Sequence, residues 1–286
     1  MDTAAVSRDE VVTRIDEMPS FPRIVTDILA TLDDPEANLN VLVNFIEHDP
    51  VITARVLSLA NVTSSHTRRM SAIRDIFTAT SLIGMGCVRQ MAVIGSLGDF
   101  FNGDARSRMP ASYWQHSVAV GVCCEELALH VKVPVSVEIS LVAGLLHDVG
   151  QLWLYRFRPE AFREIWSEAL DHKHGIELVE RARFGVDHAT IGTWLVEHWG
   201  LQPAIAAAIS HHHAPEGALE EPLVCLVHVA EVLANALDLA GRTENRVTSI
   251  SAAACRKLGL VWNDAVRPLF GRMEARSRHA NTIFQT

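Results

Sequence analysis

Leu145-Leu146-His147-Asp148-Val149-Gly150 sets an imidazole beside a carboxylate at the end of an apolar run. A divalent cation favours both ligand types, so metal binding is the chemistry this pair offers. Alone the pair is a weak signal, because a second one, His48-Asp49, stands earlier in the chain. A helix end capped by Gly150, with a satisfied histidine, explains a single such dipeptide equally well. Its company makes the stronger case. His116 lies in an apolar stretch, His188 follows Asp187, and His212 and His213 are adjacent. Glu231 sits within the apolar run Leu226 to Ala234, where an unpaired carboxylate is costly to bury. Seven candidate ligands emerge: His116, His147, Asp148, His188, His212, His213 and Glu231.

Helices must position these groups. Ile24, Ile28, Leu29 and Leu32 fall on one face at helical spacing, as do Leu42, Phe45 and Ile46. Asp49-Pro50 supplies a helix cap and a first helical residue, predicting a helix from Pro50 to about Asn61. Further helices are expected near 72–83, 86–100, 111–131, 137–149, 158–173, 187–199, 203–212 and 221–240, with two more and a frayed tail after Gly241. Alternating strand patterns are absent, so the fold class is all-α. The polar segment from Asn102 to Pro110 divides residues 1–101 from a histidine-bearing half, 110–240, followed by 241–286. That linker is short enough to predict a helical N-terminal subdomain packed on the second half. Ligands carried on five helices of one half can converge on a single site, as they do in helical metal proteins.

Composition bounds the rest. Of 286 residues, 14 are histidine, about twice the ordinary share. Apolar residues make up 49% and charged residues 21%, which excludes disorder, collagen and a continuous coiled coil. The formal charge of −9 argues against nucleic acid as a direct ligand. The N-terminal residues have no secretory pattern, and the apolar windows are short or interrupted, as by His228, Glu231 and Asp238. A soluble, cytoplasmic protein without a membrane span is expected. Its five cysteines show no CxxC spacing and read as small buried hydrophobes in a reducing compartment.

The series His116, His147-Asp148 and a late acidic residue resembles the HD superfamily of metal-dependent phosphohydrolases. That resemblance implies one divalent ion held by the first histidine, the HD pair and a final carboxylate. Histidines placed like His188, His212 and His213 imply a second ion, with Asp148 bridging the two and a water activated by them attacking phosphorus. Other segments are similar to the bacterial HDOD (HD-related output domain) family. These are Met18-Pro19-Ser20-Phe21-Pro22-Arg23-Ile24, the run from Ile46 to Asn61, Ser71-Ala72-Ile73 with Leu82-Ile83-Gly84, and the stretch from Val186 to Ile205 leading into the histidines. The similarity spans roughly residues 12 to 240. It implies a signal-transduction module that interacts with a protein partner, with a small phosphorylated molecule as a further ligand.

Two departures bear on activity. Cyclic-dinucleotide phosphodiesterases of the superfamily carry lysine where this chain has Gln151, and their GYP signature is replaced by Ala214-Pro215-Glu216-Gly217-Ala218. Where HD enzymes end on aspartate this chain has Glu231, whose extra methylene alters the reach. A regulatory module with a retained metal pocket is therefore favoured over a working phosphohydrolase, in which Asp148 would be the catalytic carboxylate. The mixed ligand set suits iron, manganese, zinc, nickel or magnesium, as one ion or two. His211, His228 and Gln151 are expected as pocket neighbours. His48 belongs to a helix junction, His130 to a helix C-terminus and His198 to the surface, while His66, His172, His174 and His279 are expected to be solvated.

Overall fold

The computed structural model describes residues 5–32, 34–65, 72–102, 110–172, 175–241 and 249–284. Among them the regular structure is helical, without strands, as the sequence pattern predicts. The chain divides into two compact units. One comprises residues 21–100 and 283–286, the other residues 1–20 and 101–282. Of the expected linker, residues 103–109 lie outside the described residues.

The smaller unit holds α2 (Arg23–Ala30), α3 (Pro35–His48), α4 (Pro50–Ser65), α5 (Ile76–Ile83) and most of α6 (Met85–Asn102); α1 (Arg8–Thr13) belongs to the larger one. Ile24, Val25, Ile28 and Leu29 are buried from α2, and Leu42 and Ile46 from α3. Asp49 Oδ1 accepts from the amides of Val51 and Ile52 at 2.9 and 3.0 Å, the cap expected before Pro50. His48 ends α3, with Nδ1 donating to Asn44 O. Between α5 and α6 the chain bends by 109° at Gly84, whose φ of 86° suits a residue without Cβ.

The larger unit contains α7 (Ala111–His130), α8 (Val137–Leu146), α9 (Val149–Phe157), α10 (Pro159–His172), α11 (Ile176–Phe184), α12 (His188–His198), α13 (Pro203–His211), α14 (Pro222–Ala236), α15 (Ala252–Leu258) and most of α16 (Arg267–Phe284). Residues 5–20 join it through Val6 N–H donating to Phe184 O at 2.9 Å and Glu10 pairing with Arg158 at 2.6 Å. Helices α7 and α8 touch along glycines: a Cβ on Gly144 would lie 2.8 Å from Gly121 Cα. No disulfide joins the five cysteines, and Cys123, Cys124, Cys225 and Cys255 are buried. Arg272 and Arg276 of α16 close onto Glu126 and Glu125 of α7 at 2.5–2.7 Å.

Two corrections concern the helix carrying the HD pair. The sequence reading runs one helix through 137–149, but α8 ends at Leu146 and a new helix, α9, starts at Val149. Asp148 occupies the N-cap of α9 with ψ of 13°. Gly150, expected to cap a helix end, instead lies within α9, and its φ is not positive. It is small because α12 is close: a Cβ there would meet His188 O at 2.0 Å and Gly192 N at 2.8 Å. Val137–Phe157 is also apolar and long enough to cross a bilayer, but 83% of it is buried inside the fold.

Candidate metal centre

Five helical segments deliver the seven predicted ligands to one buried place. His116 comes from α7, His147 and Asp148 from the α8–α9 junction, and His188 from the first residue of α12. His212 and His213 follow α13 directly, and Glu231 comes from α14. Two sets of donor atoms form, each set within 4.8 Å of one another: Asp148, His188, His212 and His213, and then His116, His147 and Glu231. Asp148 faces both. Its Oδ1 lies 3.1 Å from His188 Nε2 and 3.7 Å from His212 Nε2, and its Oδ2 lies 3.3 Å from His147 Nε2 and 4.0 Å from His116 Nε2. His213 stands between the sets, with Nε2 at 2.9 Å from His188 Nε2 and Nδ1 at 3.9 Å from Glu231.

The backbone fixes how these rings face. His147 Nδ1 donates to Gly144 O at 2.8 Å, and His212 Nδ1 donates to Ile209 O at 2.6 Å. A carbonyl only accepts, so each Nδ1 carries the proton and each Nε2 keeps its lone pair. His212 Nε2 has no hydrogen-bond partner in the protein and His147 Nε2 meets only the Asp148 carboxylate, 3.3 Å away, although both residues are wholly buried. Lone pairs left in this way around a carboxylate are what a divalent cation requires. The donor set therefore fits the metal that the sequence implies.

Glu180 of α11 is a functional residue that the ligand pattern in the sequence does not nominate. Its Oε2 accepts from His188 Nδ1 at 2.6 Å and from the His188 amide at 2.8 Å. This carboxylate–histidine pair orients the ring and makes Nε2 more basic. The signal was legible: Ile176, Glu180 and Phe184 share one helical face, and a glutamate stands in the middle of that buried stripe. Asp187 caps α12 by accepting from Thr190 N–H at 2.8 Å, and pairs with Arg181 at 2.5 Å.

Proton affinities follow the charges. Burial pulls the His147 and His188 imidazoles down, but Asp148 lifts the former and Glu180 with Asp148 lifts the latter well above the ordinary value. Burial and neighbouring imidazoles hold His212 and His213 well below it. Burial pushes Asp148 upward, yet His147 and His188 keep it well below the usual carboxylate range. Glu231 is raised to about 7, first by burial, with Asp148 adding to the rise against His147.

The expected neighbours separate. His228 supports the ligands from behind, donating from Nδ1 to His212 O at 2.7 Å and accepting from Ser251 N–H at 3.0 Å. Both nitrogens are engaged, so it is not a ligand. His211 packs against Gly217 and donates to Ala207 O, apart from both donor sets. Gln151 is buried in a neighbouring cleft. His130, His198 and His279 are exposed. His66, His174 and the side chain of His172 lie outside the described residues.

An all-helical unit that gathers histidines about an HD pair defines the class of HD-type proteins. Within it, the HDOD domain model matches residues 18–215, and the chain belongs to that family. An HDOD domain protein of unknown function from Geobacter sulfurreducens superposes with a TM-score of 0.76 at 23% identity, covering 97% of this chain and 96% of that one. A protein from Marinobacter aquaeolei VT8, named for signal transduction, gives 0.75 at 21% identity over 98% of this chain and 61% of its own. One from Shewanella amazonensis SB2B, named for phosphohydrolase activity, gives 0.64 at 22% over 96% of each. A protein of Treponema pallidum (strain Nichols) is 23% identical over 232 residues, 80% of this chain and 44% of that protein. The chain thus spans less than half the length of this relative.

Proposed function

We propose that this chain is a signal-transducing HDOD module whose buried pocket holds divalent metal, and that it acts on a protein partner. The observation that carries the metal reading is the pair of buried Nε2 atoms of His147 and His212, turned by backbone carbonyls toward Asp148 and offered to no other protein group. His116, His147 and Glu231 would hold one ion and His188, His212 and His213 another, with Asp148 serving both. Glu180 and His228 keep His188 and the His212 segment in place. The relative named for signal transduction agrees with the module reading.

A second reading, hydrolysis of a phosphoester, is favoured by the way Asp148 faces both donor sets. When bound, the metal would polarise a phosphoryl oxygen and lower the pKa of water. The chain's own contribution is to exclude bulk solvent with wholly buried His147, His188 and His212, and to hold protons on their Nδ1 atoms. Elemental analysis after reconstitution with manganese or iron tests the first reading. One or two ions per chain are expected, lost in His147→Ala and Asp148→Ala; a metal-free wild type would refute both readings. A panel of nucleotides, cyclic dinucleotides and generic phosphoesters tests the second, with turnover that disappears in Asp148→Ala as the supporting result.

A further inference from the structure

Beside the metal pocket, α7, α9 and α10 enclose a cleft of about 140 Å³, walled by Tyr113, Tyr155, Phe162 and Trp166. Gln151 lines it as well, only 3% exposed, and its Oε1 has no hydrogen-bond partner in the protein. A buried amide oxygen without a donor is costly, and a ligand that donates to it recovers that cost. Among the other lining residues, the exposed Arg163 is engaged by Glu160 at 3.3 Å and by Pro159 O at 3.1 Å. The metal ligands do not line this space.

From this arrangement we infer that the cleft is a binding site for a single-ring nitrogen heterocycle of the pyrimidine class, read by the Gln151 carboxamide. Volume sets the ring count, since a cavity of ~150 Å³ accepts one benzene-sized ring. Aromatic walls favour a flat partner through offset and edge contacts. A carboxamide offers an acceptor and a donor side by side, and a pyrimidine edge answers with an N–H and a carbonyl or ring nitrogen. A bare hydrocarbon ring would fill the space and leave Oε1 unpaired. The cleft also touches the metal pocket: the Tyr113 hydroxyl donates to Asp148 O at 2.9 Å, as does the Gln151 amide at 2.8 Å. A ring packed on Tyr113 therefore rests on the residue that braces the HD aspartate.

Calorimetry and ligand-observed NMR on the full chain, with metal removed by chelator, test the site independently of the metal reading. Uracil and cytosine should bind saturably at one site per chain, with adenine at least tenfold weaker because its second ring exceeds the volume. Gln151→Leu, which keeps the side-chain bulk, should weaken pyrimidine binding about tenfold, one hydrogen bond's worth. The half-buried Trp166 provides a second variant, Trp166→Ala, which should lose binding even if Gln151→Leu proves unstable. Absence of saturable binding by either pyrimidine to folded wild-type protein overturns the proposal. So does equal binding by Gln151→Leu, or toluene binding as well as uracil does.

Discussion

Replacing Gly150 by alanine probes how the site is built, because the added atom strikes backbone. The new Cβ would lie 2.0 Å from His188 O, whereas ordinary contact begins near 3.4 Å, so α9 and α12 must part by about 1.4 Å. No side-chain rotation relieves this, since the second contact, at 2.8 Å, is Gly192 N. Overpacking by one methyl group commonly costs ~1–3 kcal/mol, and a clash against backbone belongs at the upper end. At ~2–4 °C per kcal/mol, melting of the metal-free protein should fall by about 6–12 °C. The separation also parts Asp148 from His188, now 3.1 Å apart, so metal affinity should drop with it. Gly271→Ala is the control: on α16 its Cβ meets nothing within 4 Å, and helix propensity favours it by ~0.5–1 kcal/mol. A Gly150→Ala protein that melts within a degree or two of wild type and binds metal as well would refute the close-packing argument.

Three other perturbations separate support from ligation. Glu180→Ala frees the His188 ring and should weaken metal binding ~10–100-fold in a competition titration with a chromophoric chelator, with Glu180→Gln in between. His228→Ala should cost ~1–3 kcal/mol in denaturant unfolding by stranding His212 O and Ser251 N–H, with less effect on metal stoichiometry than His212→Ala. Arg276→Ala takes the guanidinium from buried Glu125, while Glu126 keeps Arg272, and should cost about 3 kcal/mol near pH 8. Burial raises the Glu125 carboxyl to about 7 despite Arg276. The folded state therefore holds that proton more tightly than the unfolded chain, and stability falls as pH rises from the ordinary carboxylate range through 7. Removing the guanidinium should deepen that fall, so the variant's deficit should be smaller at pH 5 than at pH 8 by urea unfolding.

The local chemistry was written in the sequence. Helical spacing gave an all-α protein, Asp49-Pro50 gave the start of α4, and residue types alone nominated the seven groups that converge. Each of those inferences rests on neighbours within a few positions, or on the cost of burying a charge. The break at Asp148 is not legible in the sequence because Leu141 to Leu154 is apolar enough for one continuous helix, and only packing decides where it turns. Gly150 had the same ambiguity: beside a helix end a glycine suggests a cap, and only α12 at 2.0 Å shows that it is a contact. Glu180 needed the partner ring before its place in an apolar stripe had a meaning, and His211 needed the geometry of α13 to be set apart from His212. Sequence determined which groups can bind metal. Tertiary structure decided which of them meet, because a side chain's direction depends on helix ends and close approaches set by residues far along the chain.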